Sequence, residues 1–218
     1  MRDDDLRHCV AAELSWDPQV DSKGIEVRTV GGTVTLRGVV ASLRLKRAGG
    51  RAAARIRGVT WVSNELRVQI PDKDRRDDED LRGDVLEALM LDVSVPMTVD
   101  AQARDGFVTL TGTAQWHYQR EAAEARTTDV PGVAGIDNAI TLTQTPDARG
   151  ARDAISDAFR RNAVLAADVL SVETFPSGLV ILSGTVSCWA AHDHAVVAAW
   201  SAPGVTRVDD RVSVESGP

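Results

Sequence analysis

Cysteine, long apolar runs and a leader-like N-terminus are all missing or scarce in this 218-residue sequence. Cys9 and Cys188 are the two cysteines. They are too few and too far apart for a disulfide framework, so we expect free thiols in a reducing compartment. No apolar run approaches the roughly 18 residues of a membrane span, so no transmembrane segment is expected. The start Met1-Arg-Asp-Asp-Asp5 lacks the basic and apolar regions of a signal peptide, which predicts a cytoplasmic location.

Motifs of catalysis are missing as well. The sequence has no nucleophile elbow, no phosphate-binding glycine loop and no recurring pair of a histidine with a carboxylate. We therefore expect no catalytic residues and no cofactor, and a binding or assembly role instead of an enzymatic one.

Excess positive charge is also missing, and the net charge is −7. Nucleic-acid binding needs a basic footprint, so we expect no nucleic-acid partner. The charge is unevenly spread. Residues 1–70 carry 12 basic and 8 acidic groups, a balance of +4; residues 71–147 carry 7 and 16, a balance of −9; residues 148–218 carry 6 and 8, a balance of −2. Opposite charges of this kind favour a contact within the chain or between chains.

What the sequence has is an internal repeat. The pattern G-x-V-x-L-x-G occurs at Gly32–Gly38, Gly106–Gly112 and Gly178–Gly184, offset by 74 and then 72 residues. A valine follows each closing glycine after 21 residues, at Val59, Val133 and Val205. Behind each valine comes an alternating stretch with Asn or Asp at its centre. Two motifs at one constant spacing indicate three tandem copies of one module.

Hydrophobic periodicity predicts the same elements in each copy. An amphipathic helix (Leu6–Leu14, Leu81–Met90 or Ile155–Val164) precedes two strands, a second helix and a last strand. The fold class is therefore α+β: three α-β-β-α-β modules, each a three-stranded mixed sheet covered by two helices. We place the modules at residues 1–70, 77–145 and 148–218. We also expect Gly49-Gly50 to interrupt the second helix of module 1.

Six glycines have structural interpretations. Gly32, Gly106 and Gly178 suit a hairpin turn that needs a positive φ. Gly38, Gly112 and Gly184 end a strand and allow the close approach of another backbone. In the third module, Pro176-Ser177 predicts that the hairpin turn between the first two strands is one residue longer than in the other two modules.

The repeated residues resemble the BON domain family. The resemblance rests on G-x-V-x-L-x-G, an alanine-rich second helix, Pro131-Gly-Val and Pro203-Gly-Val, and the ending V/I-x-N/D-x-I/V-x-V. It implies non-enzymatic modules linked to osmotic and envelope stress, with attachment to phospholipid or to other proteins. The first copy departs most from the family, since Arg57 stands where the others have proline.

A stripe of arginines is the sharpest local feature. No Asp or Glu occurs between Glu26 and Glu65, and Arg44, Arg47, Arg51 and Arg55 are spaced for one helix face. Such a stripe can bind carboxylates or phosphates, or lie on an anionic membrane. A solvated charged face is the alternative interpretation.

Other candidates are weaker. Cys188, His192 and His194 have ligand chemistry for zinc, but the spacing and the missing fourth ligand predict no metal site. Trp116 and Trp189 stand at the start of the second helix, where they predict core or module-interface packing, with a ligand-facing role as the alternative.

Three hypotheses for function follow. The first is a binding or scaffold protein of stress adaptation that contacts a protein partner or self-associates. The second is a peripheral binder of anionic phospholipid through the basic helix of module 1. The third is the binding of a small ligand or ion within a module.

Overall fold

The computed structural model describes residues 2–143, 148–165 and 169–215. Contacts within the chain divide it into two units. Unit 1 holds the residues up to 114 together with 119–141, and so carries modules 1 and 2. Unit 2 holds 115–118 together with the residues from 142 onwards, and so carries module 3. None of the described helices is long and apolar enough to cross a membrane.

Module 1 contains two helices and one three-stranded sheet. Its elements in chain order are α1 (Asp3–Trp16), β1 (Ile25–Val30), β2 (Thr33–Val40), α2 (Leu43–Ala54) and β3 (Trp61–Val68). Strand β2 lies in the middle, antiparallel to β1 and parallel to β3. The parallel pair needs a crossover connection, which α2 supplies.

The core of module 1 lies between the helices and the sheet. Leu6, Val10 and Leu14 are four residues apart on α1, so they share the face that packs inward, and all three are buried. Val34 and Leu36 alternate with half-buried threonines on β2, as expected for a strand with one covered face. Small residues on α2, Ala52 and Ala53, let that helix lie close to the sheet.

Module 2 repeats this order with shorter strands. Its elements are α3 (Asp78–Met90), β4 (Asp100–Arg104), β5 (Phe107–Thr111), β6 (Thr113–Ala114), α4 (His117–Asp129), β7 (Gly135–Asn138) and β8 (Thr141–Leu142). The main sheet has the order β4-β5-β7, and β6 pairs with β8. Leu81, Val85 and Leu89 bury one face of α3 against it.

Module 3 has the full-length version of the same sheet. Its elements are α5 (Ala148–Arg161), β9 (Val169–Thr174), β10 (Leu179–Val186), α6 (Trp189–Trp200) and β11 (Arg207–Val214). Val180 and Leu182 of β10 pack on Ile155 of α5 and Ala199 of α6. The sheet order is β9-β10-β11, again with one antiparallel and one parallel pair.

The predicted fold class is therefore confirmed: three α-β-β-α-β modules with mixed three-stranded sheets. The longer turn of module 3 is confirmed too, since Phe175 and Leu179 enclose three residues where modules 1 and 2 have two. The module boundaries at 1–70, 77–145 and 148–218 stay a prediction.

Two details of the sequence prediction are wrong. Helix α2 runs through Gly49-Gly50 without interruption, because both glycines face β3 closely. A Cβ on Gly50 would lie 2.8 Å from Nδ2 of Asn64. Helix α5 ends at Arg161, before Val164, where Asn162 closes the helix by accepting from the backbone N–H of Val164.

The closing glycines do not all end their strands. β2 continues two residues past Gly38, because the parallel pairing with β3 extends to Val40. The close approach is present: a Cβ on Gly38 would lie 2.0 Å from the carbonyl oxygen of Gly24, and one on Gly112 2.1 Å from that of Thr98. Both glycines have a positive φ. A side chain at either position therefore meets strain and a steric clash together.

Candidate binding surface on the second helices

Helix α2 presents the arginine stripe because its other face is apolar. Ser42 begins the helix and accepts a hydrogen bond from the backbone N–H of Leu45 at 3.2 Å. Leu43, Ala48 and Ala52 are buried toward the sheet. The arginines lie on the remaining surface of the helix and just after its end, and they differ in whether a carboxylate binds them.

Arg47 and Arg55 are bound within the protein. Arg47 forms an ion pair with Glu124 of α4, with Nη2 and Oε1 2.5 Å apart, and so joins module 1 to module 2 within unit 1. Arg55 reaches Asp17 at 2.5 Å and Glu13 at 3.0 Å. The hydrogen bond from Arg55 is the main reason that the pKa of Asp17 is lowered. These two guanidinium groups already have carboxylate partners.

Arg44 and Arg51 have no such partner. Both are exposed, and neither has a carboxylate within ion-pair distance in the described part of the chain. Arg51 acts on Asp17 only through its longer-range charge. The structure therefore divides the predicted stripe into two internally paired arginines and two that remain available to an anionic surface.

The pair of Arg55 with Asp17 belongs to a device that recurs in all three modules. Each loop after a first helix contains an Asp or Asn that accepts from a backbone N–H two residues later: Asp17, Asp92 and Asn162. Each of these also meets a side chain at or just after the second helix: Arg55, which follows α2, Arg126 of α4 at 2.9 Å and His194 of α6 at 2.9 Å. We call this contact the loop anchor. It accounts for Arg55 and His194 as structural residues.

A second recurring device fixes the second helix to the last strand. Asn64 donates to the carbonyl oxygen of Lys46 at 2.7 Å, and Asn138 donates to that of Arg120 at 3.1 Å. Asn138 also donates to Glu124 at 2.9 Å. We call this contact the strand clamp. Its repeat spacing was visible in the sequence, but its hydrogen bonds were not.

Module 3 has the clamp in an ionic form. Asp210 stands where the other modules have asparagine, and a carboxylate cannot donate to a carbonyl group. His192, in the position of Lys46 and Arg120, instead brings Nε2 within 2.8 Å of Asp210. The hydrogen bond to Asp193 raises the pKa of His192, burial opposes the rise, and the charge and hydrogen bond of Asp210 add to it.

The candidate zinc residues are not gathered into one site. Cys188 is exposed at the start of α6, His192 meets Asp210, and His194 meets Asn162. Across residues 2–143, 148–165 and 169–215, no group of three His, Cys, Asp or Glu side chains is arranged to hold a metal ion.

The remaining predicted site residues lie as follows. Trp189 is half buried and packs against the core cluster that contains Leu165 and Ala195. Trp116 is half buried just before α4. The hairpin glycines Gly32, Gly106 and Gly178 all have φ near +80°.

One feature was missed in the sequence. Four large apolar side chains of module 2 are at least 80% exposed within eight residues: Met90, Leu91, Val93 and Met97. We call residues 90–97 the apolar loop. Comparison of the repeats would have found it, because the equivalent residues of module 1, 16–23, read Trp-Asp-Pro-Gln-Val-Asp-Ser-Lys.

Comparison with solved structures gives distant matches. Two structures of CdsD, a structural protein of the Type III secretion system of Chlamydia trachomatis, are each 15% identical to this chain. The first match covers 98% of this chain and 93% of that chain with a TM-score of 0.27. The second is to the C-terminal domain and covers 99% and 100% with a TM-score of 0.26. Scores this low carry no argument about function. No curated protein matches the chain.

Comparison with family models gives a match over nearly the whole chain. The BON domain model matches three times, at residues 2–70, 77–144 and 147–216. The three matches follow the three copies of the repeat and the three α-β-β-α-β modules of the structure. The chain belongs to the BON domain family, with three tandem copies of the domain.

Proposed function

We propose that this chain is a non-enzymatic scaffold of osmotic or general stress adaptation that works by binding another macromolecule. The observation that supports this most is the pair Arg44 and Arg51, which are exposed two turns apart on α2 and have no carboxylate in ion-pair contact within the described residues. Unpaired guanidinium groups are well suited to bind carboxylates or phosphates on a partner. No acidic residue occurs from 27 to 64, and the carboxylates that the fold brings to this helix, Glu13, Asp17 and Glu124, are already paired with Arg55 and Arg47.

The polar residues of the strand clamp and the loop anchor support the same proposal. Asn64, Asn138 and Asp210 serve the strand clamp, and Asp17, Asp92 and Asn162 serve the loop anchor. The polar side chains of the strand clamp and the loop anchor are thus used to hold helices to strands and loops to helices. The chemistry left for function lies on exposed surfaces.

A protein partner is favoured over a membrane as the main target. Polybasic segments gain about 1 kcal/mol per basic residue on an anionic bilayer, and stable attachment needs several such residues. Two of the four arginines of the stripe are already paired with Glu124, Asp17 and Glu13. The two that remain contribute only about 2 kcal/mol to membrane binding. Anionic phospholipid is therefore the second candidate.

Co-sedimentation with liposomes separates the two candidates. The full chain is incubated with neutral phosphatidylcholine vesicles and with vesicles that contain phosphatidylserine, at low and at high salt. We expect most of the chain to stay in the supernatant in each case. Strong salt-sensitive pelleting with the anionic vesicles alone, abolished by Arg44→Gln with Arg51→Gln, would establish lipid binding instead.

A further inference from the structure

The apolar loop of module 2 is unusual for a small protein surface. Met90 is 82% exposed, Leu91 80%, Val93 100% and Met97 102%. Single exposed apolar residues are ordinary, but a contiguous group marks an interaction site. Four within one loop therefore call for a partner that covers them.

The fold does not require these residues. The equivalent loop of module 1 joins the same two elements and uses the same anchor, Asp17 with Arg55. Its first position, Trp16, is as exposed as Met90, but it carries Asp17, Gln19 and Lys23 where module 2 carries Leu91, Val93 and Met97. Because the same architecture forms with polar residues at the other three positions, the apolar side chains of Leu91, Val93 and Met97 have a purpose other than folding.

The loop holds its apolar side chains in place. Asp92 accepts from the backbone N–H of Ser94 at 2.9 Å and from its hydroxyl group at 2.5 Å. Its second oxygen binds Nε of Arg126 at 2.9 Å. The hydrogen bonds from Ser94, with the charge of Arg126 after them, lower the pKa of Asp92. A loop tied in this way loses little conformational freedom when a partner binds.

The charge around the apolar loop selects the partner. Glu87 and Asp129 line the shallow pocket beside Leu91 and Val93, and both are exposed. Neither forms an ion pair within the residues that the structure describes. Acidic side chains repel an anionic membrane and attract a basic protein surface.

Module 1 of the same chain offers such a surface. A pocket of about 360 Å³ opens between β2, the start of α2 and the segment after β3. Its lining is mixed: the apolar side is formed by Val39, Val40, Leu45, Ile70 and Pro71, and polar and charged residues form the rest. Lys23 and Arg75 balance Asp21 and Asp72 at its rim. Arg44 is next to Leu45 in the chain, outside the lining of the pocket, and Arg51 lies two turns farther along the same helix; both are exposed and add positive charge to this side of module 1.

We propose that the apolar loop of one copy docks on module 1 of a second copy, with Val93 and Met97 against the apolar side of this pocket and Glu87 and Asp129 facing Arg44 and Arg51. The contact joins two different surfaces, so it is head-to-tail. This inference rests on the proposed function and names a second copy of the chain as the macromolecular partner.

Two complementary variants test the contact. The loop variant carries Val93→Ser and Met97→Ser, and it keeps an intact module 1. The receptor variant carries Arg44→Glu and Arg51→Glu, and it keeps an intact loop. Full burial of one such apolar side chain corresponds to about a tenfold or larger change in affinity. The loop variant alone should therefore associate at least about a hundredfold more weakly than the parent. The receptor variant alone should also associate more weakly than the parent, because its two new carboxylates would face Glu87 and Asp129.

Sedimentation velocity of the mixture gives the decisive result. An equal mixture of loop variant and receptor variant should form a one-to-one complex that grows no further, because it contains one intact loop and one intact receptor. The control variant, Val30→Ser with Val197→Ser, removes two exposed apolar residues elsewhere and should associate like the parent.

Two results would overturn the inference. One is a mixture that stays monomeric, or a parent that is itself monomeric at every concentration. The other is binding of the parent, but not of the loop variant, to neutral phosphatidylcholine vesicles, which would make a lipid surface the occupant of the loop. A monomeric parent would leave the proposed function standing with a different protein as partner.

Discussion

Asn64 donates a hydrogen bond from Nδ2 to the carbonyl oxygen of Lys46, 2.7 Å away, and so fixes α2 to β3. The same contact recurs between Asn138 and Arg120. In module 3 it becomes a contact of two side chains, Asp210 and His192, at 2.8 Å. Three copies of one module have thus kept the position of the clamp while one copy changed its chemistry.

The first prediction exchanges one form of the clamp for the other. Asn64→Asp should lower the free energy of unfolding of module 1 by about 1–3 kcal/mol, because the carbonyl group of Lys46 loses its donor and faces a carboxylate. Adding Lys46→His should recover part of the loss by recreating the pair of module 3. Urea unfolding of the four variants of this cycle measures the coupling. If the effects of Asn64→Asp and Lys46→His on the free energy of unfolding simply add, the two side chains do not interact, and the ionic form of the clamp cannot replace the asparagine form in module 1.

The second prediction compares two glycines. Gly38→Ala should destabilise the protein by about 3 kcal/mol or more, because the new Cβ meets the carbonyl oxygen of Gly24 and φ is positive. Gly83→Ala should stabilise it by about 0.5–1 kcal/mol, because Gly83 lies within α3 with open space around its Cβ position. Thermal unfolding of both variants provides the measurement. Equal effects would contradict the close approach at Gly38.

The fold could be predicted from the sequence because each module repeats its own signals. The glycine motif, the alternation around Val34 and Leu36 and the helical spacing of Leu6, Val10 and Leu14 all agree. The uninterrupted α2 could not be predicted, since the reason that Gly49-Gly50 fits there lies on another strand, at Asn64 and Leu66.

The candidate site was predicted only as a group of charges. Sequence spacing placed four arginines on one helix face, but it could not show that Arg47 meets Glu124, which lies 77 residues away in the chain. The division of the stripe depends on tertiary contacts. The apolar loop, by contrast, was visible in the sequence once the loops of modules 1 and 2 are compared residue by residue.

The third prediction concerns pH. Because the folded state raises the pKa of His192, its protonated form stabilises module 3. This contribution is fully present below the ordinary histidine pKa of about 6.5 and is lost as the pH rises through the raised value. NMR titration of the histidine ring protons should give a pKa above about 6.5 for His192, and Asp210→Asn should lower it.

The corresponding stability measurement uses His192→Gln as the control. Between about pH 6 and pH 8, the parent should lose more of its free energy of unfolding than this variant does. An identical pH dependence of the two proteins would show that His192 does not titrate in its contact with Asp210.

The central claim is that the chain acts by binding through Arg44 and Arg51, the two arginines of the stripe that form no ion pair among the described residues. Light scattering at low and high salt tests it on a matched pair of variants. Arg44→Gln with Arg51→Gln should reduce self-association at low salt to the level of the parent at high salt, with no change in stability. Arg47→Gln with Arg55→Gln should keep the association and instead lower the free energy of unfolding, since these two ion pairs hold parts of the protein together. A parent that associates at low salt and an Arg44→Gln, Arg51→Gln variant that scatters equally there would contradict the account.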